Sequence, residues 1–249
     1  ARDVPIRMLP DTLDRTDPRF DDPRFQRQRQ SDGTHNMRWM EARRGMLTGS
    51  CFAAALGMKG SSRMTNLYAK LSSDVPTEPP SFLDETVENA GSRWGDTHER
   101  DAVATYLSSW LQPRCPGAEV LETGFWRIPG HESLGVSPDG LVEGAGDEIP
   151  GGATLEVKCP FGRGSPQPHA APPIDSIPQL QGALLATGRA ECHLVSWTPY
   201  GAKVFVVPSS RAYQEEMLSS LQRFVSHAQQ GAPAPSLTSP KERARLLSI

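Results

Sequence analysis

Residues 134–141, Leu-Gly-Val-Ser-Pro-Asp-Gly-Leu, and 155–161, Leu-Glu-Val-Lys-Cys-Pro-Phe, decide how this chain folds. In the second stretch apolar and charged residues alternate. Successive side chains of a strand point to opposite faces, so Leu155 and Val157 are expected in a core, with Glu156 and Lys158 side by side on the other face. In the first stretch, 134–136 reads as a strand, Pro138-Asp139-Gly140 as a turn, and 141–143 as the next strand. Taken alone, Glu156 and Lys158 would be an exposed strand face with a weak ion pair, and Asp139 an ordinary turn residue. Taken together, Asp139, Glu156 and Lys158 bring two carboxylates and one ammonium to a single sheet edge.

Two carboxylates that close repel each other. They become tolerable around a hard divalent cation such as Mg²⁺, which prefers oxygen ligands and retains several waters. Such an ion lowers the pKa of bound water and neutralises charge on a phosphoryl oxygen. Lys158 would orient or help deprotonate the attacking water, or stabilise the phosphorane.

Working outward, the longest helical pattern covers 88–111, where Trp94, Ala102, Val103, Tyr106, Leu107 and Trp110 recur at helical spacing. Glu99 lies on or beside that interior-facing stripe. Shorter helices are expected over 37–46 and over 53–56, the second capped by Thr48 or Ser50 and closed by Gly57, and over 64–71. Residues 72–80 read as a linker. Strands are expected at 120–127 and 154–159, then a helix at 177–186 stopped by Gly188. Strands 193–197 and 203–207 flank the turn Pro199-Tyr200-Gly201, and an amphipathic helix follows at 211–229. No internal repeat is found. Residues 1–36 form a polar, Pro/Asp/Arg-rich arm expected to carry little core and to be poorly ordered. Residues 37–230 make the main domain, and 231–249 a linker with a basic tail. This order fits one mixed α/β domain.

The 249 residues include 26 Lys and Arg against 29 Asp and Glu, a net charge of −3. That excludes a generic polycationic nucleic-acid coat, but not an enzyme with a local basic groove. No apolar run approaches the ~18 residues of a membrane span. Four scattered cysteines make no CxxC pair, which argues against a zinc ribbon or a thioredoxin-type motif and for a reducing, intracellular setting. The chain begins at Ala1, which reads as a processed or trimmed product, and no signal-peptide core is present.

Asp139 followed 17 positions later by the Glu of Glu-x-Lys resembles the signature of PD-(D/E)xK nucleases, and the wider pattern resembles their YqaJ and lambda-exonuclease branch. Five blocks carry the resemblance in order: WMEARRGMLTGS (39–50), GDTHERDA (95–102), LGVSPDGL (134–141), LEVKCPF (155–161) and PQLQGALLATG (178–188). It spans about residues 37–226. Residues 136–140 and 155–164 look most like plant and algal members, which points to a chloroplast or mitochondrial protein. Where the family enters the last of these helices through a tyrosine-rich stretch, this chain has Asp175-Ser176-Ile177.

The resemblance implies a restriction-endonuclease-like α/β core, a mixed central sheet flanked by helices. It implies a Mg²⁺- or Mn²⁺-dependent exonuclease hydrolysing linear double-stranded DNA, 5′ to 3′ from a 5′-phosphorylated end, in DNA recombination or repair. Asp139 and Glu156 match the metal-binding carboxylates, Val157 a position whose backbone carbonyl also binds metal, and Glu99 a glutamate near a second metal or its waters. Lys158 matches the catalytic lysine and Gln179 a glutamine that positions nucleophile or substrate. Gln181, ~200° further round the helix, cannot share that role.

Arg43 and Ser50 match 5′-phosphate ligands, with a solvated arginine and a plain helix cap as the bland reading and Arg44 as the alternative ligand. Trp39 is expected as a core anchor, His98 as a bystander, and Cys51, Cys159 and Cys192 as small apolar residues. The rivals are an endonuclease or flap nuclease on the same core, and a DNA-binding module that has lost catalysis. Trimers and single-strand annealing partners occur in the lambda-exonuclease branch, so a homo-oligomer and a recombination partner protein are among the expectations. No sequence feature specifies either.

Overall fold

The alternation and helical stripes resolve into a mixed α/β architecture in the computed structural model, which describes residues 5–72, 87–162 and 165–232. In chain order the elements are β1 (Ile6–Arg7), α1 (Met37–Ala42), β2 (Leu47–Thr48), α2 (Gly49–Ala55), α3 (Ser61–Ser72), α4 (Val87–Tyr106), α5 (Gln112–Arg114), β3 (Glu119–Leu121), β4 (Trp126–Ile128), β5 (His131–Val136), β6 (Gly140–Glu143), β7 (Ala153–Lys158), α6 (Ile177–Thr187), β8 (Glu191–Thr198), β9 (Gly201–Pro208) and α7 (Arg211–Gln229). A π-helical turn, Leu107–Leu111, extends α4. The expected linker at 72–80, apart from Ser72, and the basic tail lie outside the described residues.

Six strands form one sheet in the order β1-β3-β6-β7-β8-β9, and β2, β5 and β4 form a second, smaller one. β7 sits inside the large sheet, antiparallel to β6 and parallel to β8. A parallel neighbour needs a crossover, and α6 supplies it. The alternation in β7 works as expected: Ala153, Leu155 and Val157 join a core with Ala102, Val103 and Tyr106 of α4. Thr154 and Glu156 face the other way, towards the α6 side of the sheet. There α2, α3, α6 and α7 build a second core around Phe52, Met217, Leu221 and Phe224. Helix α6 is buried along most of its length. At Gly182 a Cβ would lie 2.7 Å from the Phe52 ring, so glycine sets how closely α2 and α6 pack. The result is the expected mixed central sheet flanked by helices.

Three expectations change. The strand over 120–127 is two strands in two sheets, because the arm reaches between them. Gly124 N donates to Arg24 O (2.8 Å) and Phe125 N to Pro23 O (2.9 Å), and a Cβ on Gly124 would sit 2.2 Å from Pro23 O. The arm is also less bare than its composition suggested. β1 pairs parallel with β3, Leu9, Leu13 and Gln26 are buried, and Arg27 is held by Asp11 and Glu122. Polar bonds supply what apolar burial does not. Finally, a short repeat exists: Asp17-Pro18-Arg19-Phe20 recurs as Asp22-Pro23-Arg24-Phe25. In both copies the arginine donates backbone N, Nε and Nη2 to the aspartate two residues before it.

Candidate active site

The site begins where β6 runs out. The β6–β7 ladder starts at the pair Gly140–Leu155, so the C-terminal end of β7 lacks a strand on that side. Asp139 takes its place: its N–H donates to Leu155 O (3.1 Å), and its Oδ2 accepts from Val157 N (2.7 Å). The N–H and C=O of one residue leave a strand on the same side, so the Val157 carbonyl faces the gap beside Asp139.

On the opposite face of β7, Glu156 is nearly sealed, with its side chain 4% exposed. Its Oε1 accepts from Lys158 Nζ at 2.6 Å and from Gln179 Nε2 at 2.5 Å. Lys158 also reaches Gln179 Oε1 at 3.4 Å. Gln179 stands in the first turn of α6, which Pro178 opens, a position where proline's missing N–H costs nothing. Gln181 turns away, as the helix geometry requires: it bonds Pro208 O, Ser210 N and Gln214 Nε2, and so ties β9 to the start of α7.

Charge repulsion marks the centre. Burial, then the Glu156 and Asp96 charges, pushes the Glu99 carboxyl up to about 7. Burial, then Glu156 and Glu99, raises Asp139 well above the usual carboxylate range. Burial alone would lower Lys158, but the charges of Glu156 and Asp139 outweigh it and hold the side chain as an ammonium. An acid cluster whose members resist ionising together suits a bound cation. The donors, carboxylates plus a backbone carbonyl, are the hard oxygens that Mg²⁺ or Mn²⁺ takes. Among the described residues, no three acidic, histidine or cysteine side chains already close into a metal cluster, and Glu156 Oε1 is engaged by Lys158 and Gln179.

A cleft of about 650 Å³ is lined by Glu99, Asp139, Glu156, Val157, Lys158 and Gln179, and also by Arg43 and Ser50. The Arg43 guanidinium lies 3.9 Å over the Trp39 ring, with Nη2 3.5 Å from Thr48 Oγ1. Its buried Nε has no hydrogen-bond partner, and no carboxylate of the described residues forms an ion pair with it. Thr48 Oγ1 is 3.4 Å from Ser50 Oγ. Arg44 is exposed and does not line the cleft, whereas Arg43 does. Trp39 anchors α1 to the Asp139 turn through Nε1 to Ser137 Oγ (2.9 Å). His98 lies outside the cleft lining, bonded to Asp101 and stacked on Trp197. Cys159 lines the cleft, its thiol pushed up to about 12 by burial, which keeps it unreactive.

Sequence reasoning missed one wall altogether. Arg27, Gln28, Arg29 and His35 of the arm line the same cleft, as do Asp96 and Glu122. Gln28 Nε2 donates to Pro138 O (3.1 Å), directly behind Asp139. The arm has no periodicity to place these residues. Its density of arginines was the one usable signal.

A family model, the YqaJ-like viral recombinase domain, matches residues 38–190. That span contains Glu99, Asp139, Glu156, Val157, Lys158 and Gln179, with Arg43 and Ser50. The chain belongs to the YqaJ-like viral recombinase domain family. Among solved structures, this YqaJ-like chain is similar to an alkaline exonuclease, LHK-Exo, from Laribacter hongkongensis. The TM-score is 0.58 at 23% identity, covering 85% of this chain and 99% of that one. The crystal structure of LHK-Exo in complex with dAMP matches with TM-score 0.57 and 25% identity, over 77% of this chain and 92% of that one. No curated protein matches the sequence. Among the described residues no helix is long and apolar enough to cross a membrane.

Proposed function

We propose that this YqaJ-like chain is a divalent-metal-dependent exonuclease that hydrolyses linear double-stranded DNA, 5′ to 3′ from a 5′-phosphorylated end. One observation carries the reading: an acid cluster around the buried Glu156, with an adjoining ammonium and amide, shares a cleft with Arg43, a half-buried cation that no carboxylate among the described residues satisfies. The first arrangement suits hydrolysis at a phosphodiester. The second suits a terminal phosphate, the feature that distinguishes a 5′ end from the rest of a repeating backbone. The likeness to an alkaline exonuclease and its dAMP complex supports the substrate class.

Asp139, Glu156, Glu99 and the Val157 carbonyl would hold Mg²⁺ or Mn²⁺. When bound, the ion supplies Lewis acidity and an activated water. Lys158 keeps positive charge beside the phosphoryl oxygens as negative charge builds up there. Gln179, bonded to both Glu156 and Lys158, orients them and offers an amide to the nucleophile or substrate. Arg43, with Ser50 and Thr48, receives the 5′-phosphate through charge-assisted hydrogen bonds. A chloroplast or mitochondrial location, a homo-oligomer and a recombination partner protein are proposals that rest on the family resemblance.

The experiment compares nucleotide release from linear duplex and from covalently closed circular DNA, with Mg²⁺ and with EDTA. The reading predicts Mg²⁺-dependent release from linear DNA alone. Cutting of closed circles would favour the endonuclease reading, and release in EDTA would remove the metal from the account.

A further inference from the structure

The N-terminal arm lies outside the family match, which starts at residue 38, yet it forms one wall of the cleft. Arg29 reaches across to α4, where Nη2 meets Asp96 Oδ2 at 2.6 Å. Asp96 stands one helical turn before Glu99, so the two share a face of α4 and both line the cleft. The pair is partly solvated, with Arg29 34% and Asp96 43% exposed. Such a pair is a weak staple. Arg27, two residues earlier, is different: its side chain is 8% exposed and locked between Asp11 and Glu122. Arg27 holds the arm in place; Arg29 also donates Nη1 to Gly33 O of the arm at 3.2 Å, and it is the exposed Nη2 bond to Asp96 that can change partner. In a cleft that must admit a polyanion, Asp96 is an unfavourable residue, and its repulsion is one of the forces raising Glu99. An aspartate there makes sense when it holds an arginine in position and gives it up to a stronger anion.

We propose that Arg29 is a DNA-phosphate ligand held ready by Asp96, and that the arm is a substrate-binding element of the cleft. Incoming backbone phosphate replaces the Asp96 carboxylate on the guanidinium, exchanging one charge-assisted pair for another. No covalent bond changes. The assignment rests on the nuclease reading and concerns a phosphate other than the terminal one assigned to Arg43.

The test is binding of a fluorescent 5′-phosphorylated duplex in EDTA, where no cleavage occurs, at a series of salt concentrations. Wild type is compared with Arg29→Ala, Arg29→Lys and Asp96→Asn, with melting temperatures in parallel. Each neutralised phosphate adds about 0.9 to the slope of log K against log salt for B-form DNA. Arg29→Ala should weaken binding about five- to twentyfold at low salt and flatten that slope by about one. Arg29→Lys should keep the slope. Asp96→Asn should tighten binding several-fold, since it removes the competing carboxylate. A purely structural clasp predicts something else: Arg29→Ala and Asp96→Asn would lower the melting temperature alike and leave the slope alone. An unchanged slope in Arg29→Ala, or weaker binding in Asp96→Asn, overturns the proposal. If wild type binds no DNA at any salt, the nuclease reading falls, and this inference with it. If wild type binds with a steep salt slope that Arg29→Ala leaves untouched, only the inference falls.

Discussion

At the scale of single residues, the site is a balance of like charges. A carboxyl with a raised folded-state pKa holds its proton more tightly when folded. Its stabilising contribution is full below the unfolded value near 4.5 and is lost as pH rises through the folded value, about 7 for Glu99. Histidines whose values burial lowers, His193 and the half-buried His35 and His169, tilt stability the other way below about pH 6.5. The difference between variants therefore isolates the acid. In EDTA, Glu99→Gln should lie close to wild type at pH 4 and exceed it at pH 8 by on the order of 2 kcal/mol. Urea unfolding at the two pH values measures this, and a difference that does not grow with pH would refute the repulsion. Adding Mg²⁺ should close the gap at pH 8. A second expectation concerns Lys158. Lys158→Ala should cut turnover about 100-fold or more, with Mg²⁺ affinity by calorimetry kept or improved, because an ammonium opposes a cation. Collapse of metal binding with normal residual turnover would invert the assigned role. The Asp139, Glu156 and Lys158 arrangement was legible because strand alternation fixes which side chains share a face. Gln179 was legible only through the family pattern, since a lone amide on a helix carries no chemical signature.

At the scale of elements, β7 and α6 bring the chemistry together. The strand supplies Glu156 and Lys158, and the helix presents Gln179 across them, so the α6 position sets the geometry of the site. That position depends on Gly182 against Phe52. In Gly182→Ala the new Cβ would meet the Phe52 ring at 2.7 Å and Val136 Cγ1 at 3.2 Å. Both neighbours are fully buried, and overpacking of this kind costs about 1–3 kcal/mol. Denaturant midpoints should fall accordingly, and turnover should fall more than 5′-end binding because Gln179 shifts. Unchanged stability would mean the helix yields freely and is not a fixed support. Most elements could be read from periodicity, including α4, β7, α6 and α7. The 120–127 segment could not. Its residues favour a strand throughout, and the arm backbone seated on Gly124 is what divides it. Local preference carries no trace of so distant a contact.

At the scale of the molecule, two regions with no common sequence signal close around one cleft. The family-matched core carries the acids and Arg43, and the arm adds Arg27, Gln28 and Arg29 to the cleft lining, with Gln28 bonded to Pro138 O beside Asp139. The central claim is that this cleft combines hydrolysis with recognition of a 5′-phosphate. The direct measurement is digestion of duplexes labelled at one end, bearing either a 5′-phosphate or a 5′-hydroxyl, by wild type, Arg43→Ala and Asp139→Asn in Mg²⁺. A charge-assisted contact to the phosphate is worth about 1.5–3 kcal/mol, or roughly ten- to hundredfold. Wild type should therefore prefer the phosphorylated end by about that factor and proceed 5′ to 3′. Arg43→Ala should lose the preference while still cutting slowly at high enzyme, and Asp139→Asn should stay folded and cut neither. Equal digestion of both ends by wild type, digestion from 3′ ends, or wild-type rates in Asp139→Asn would contradict the account.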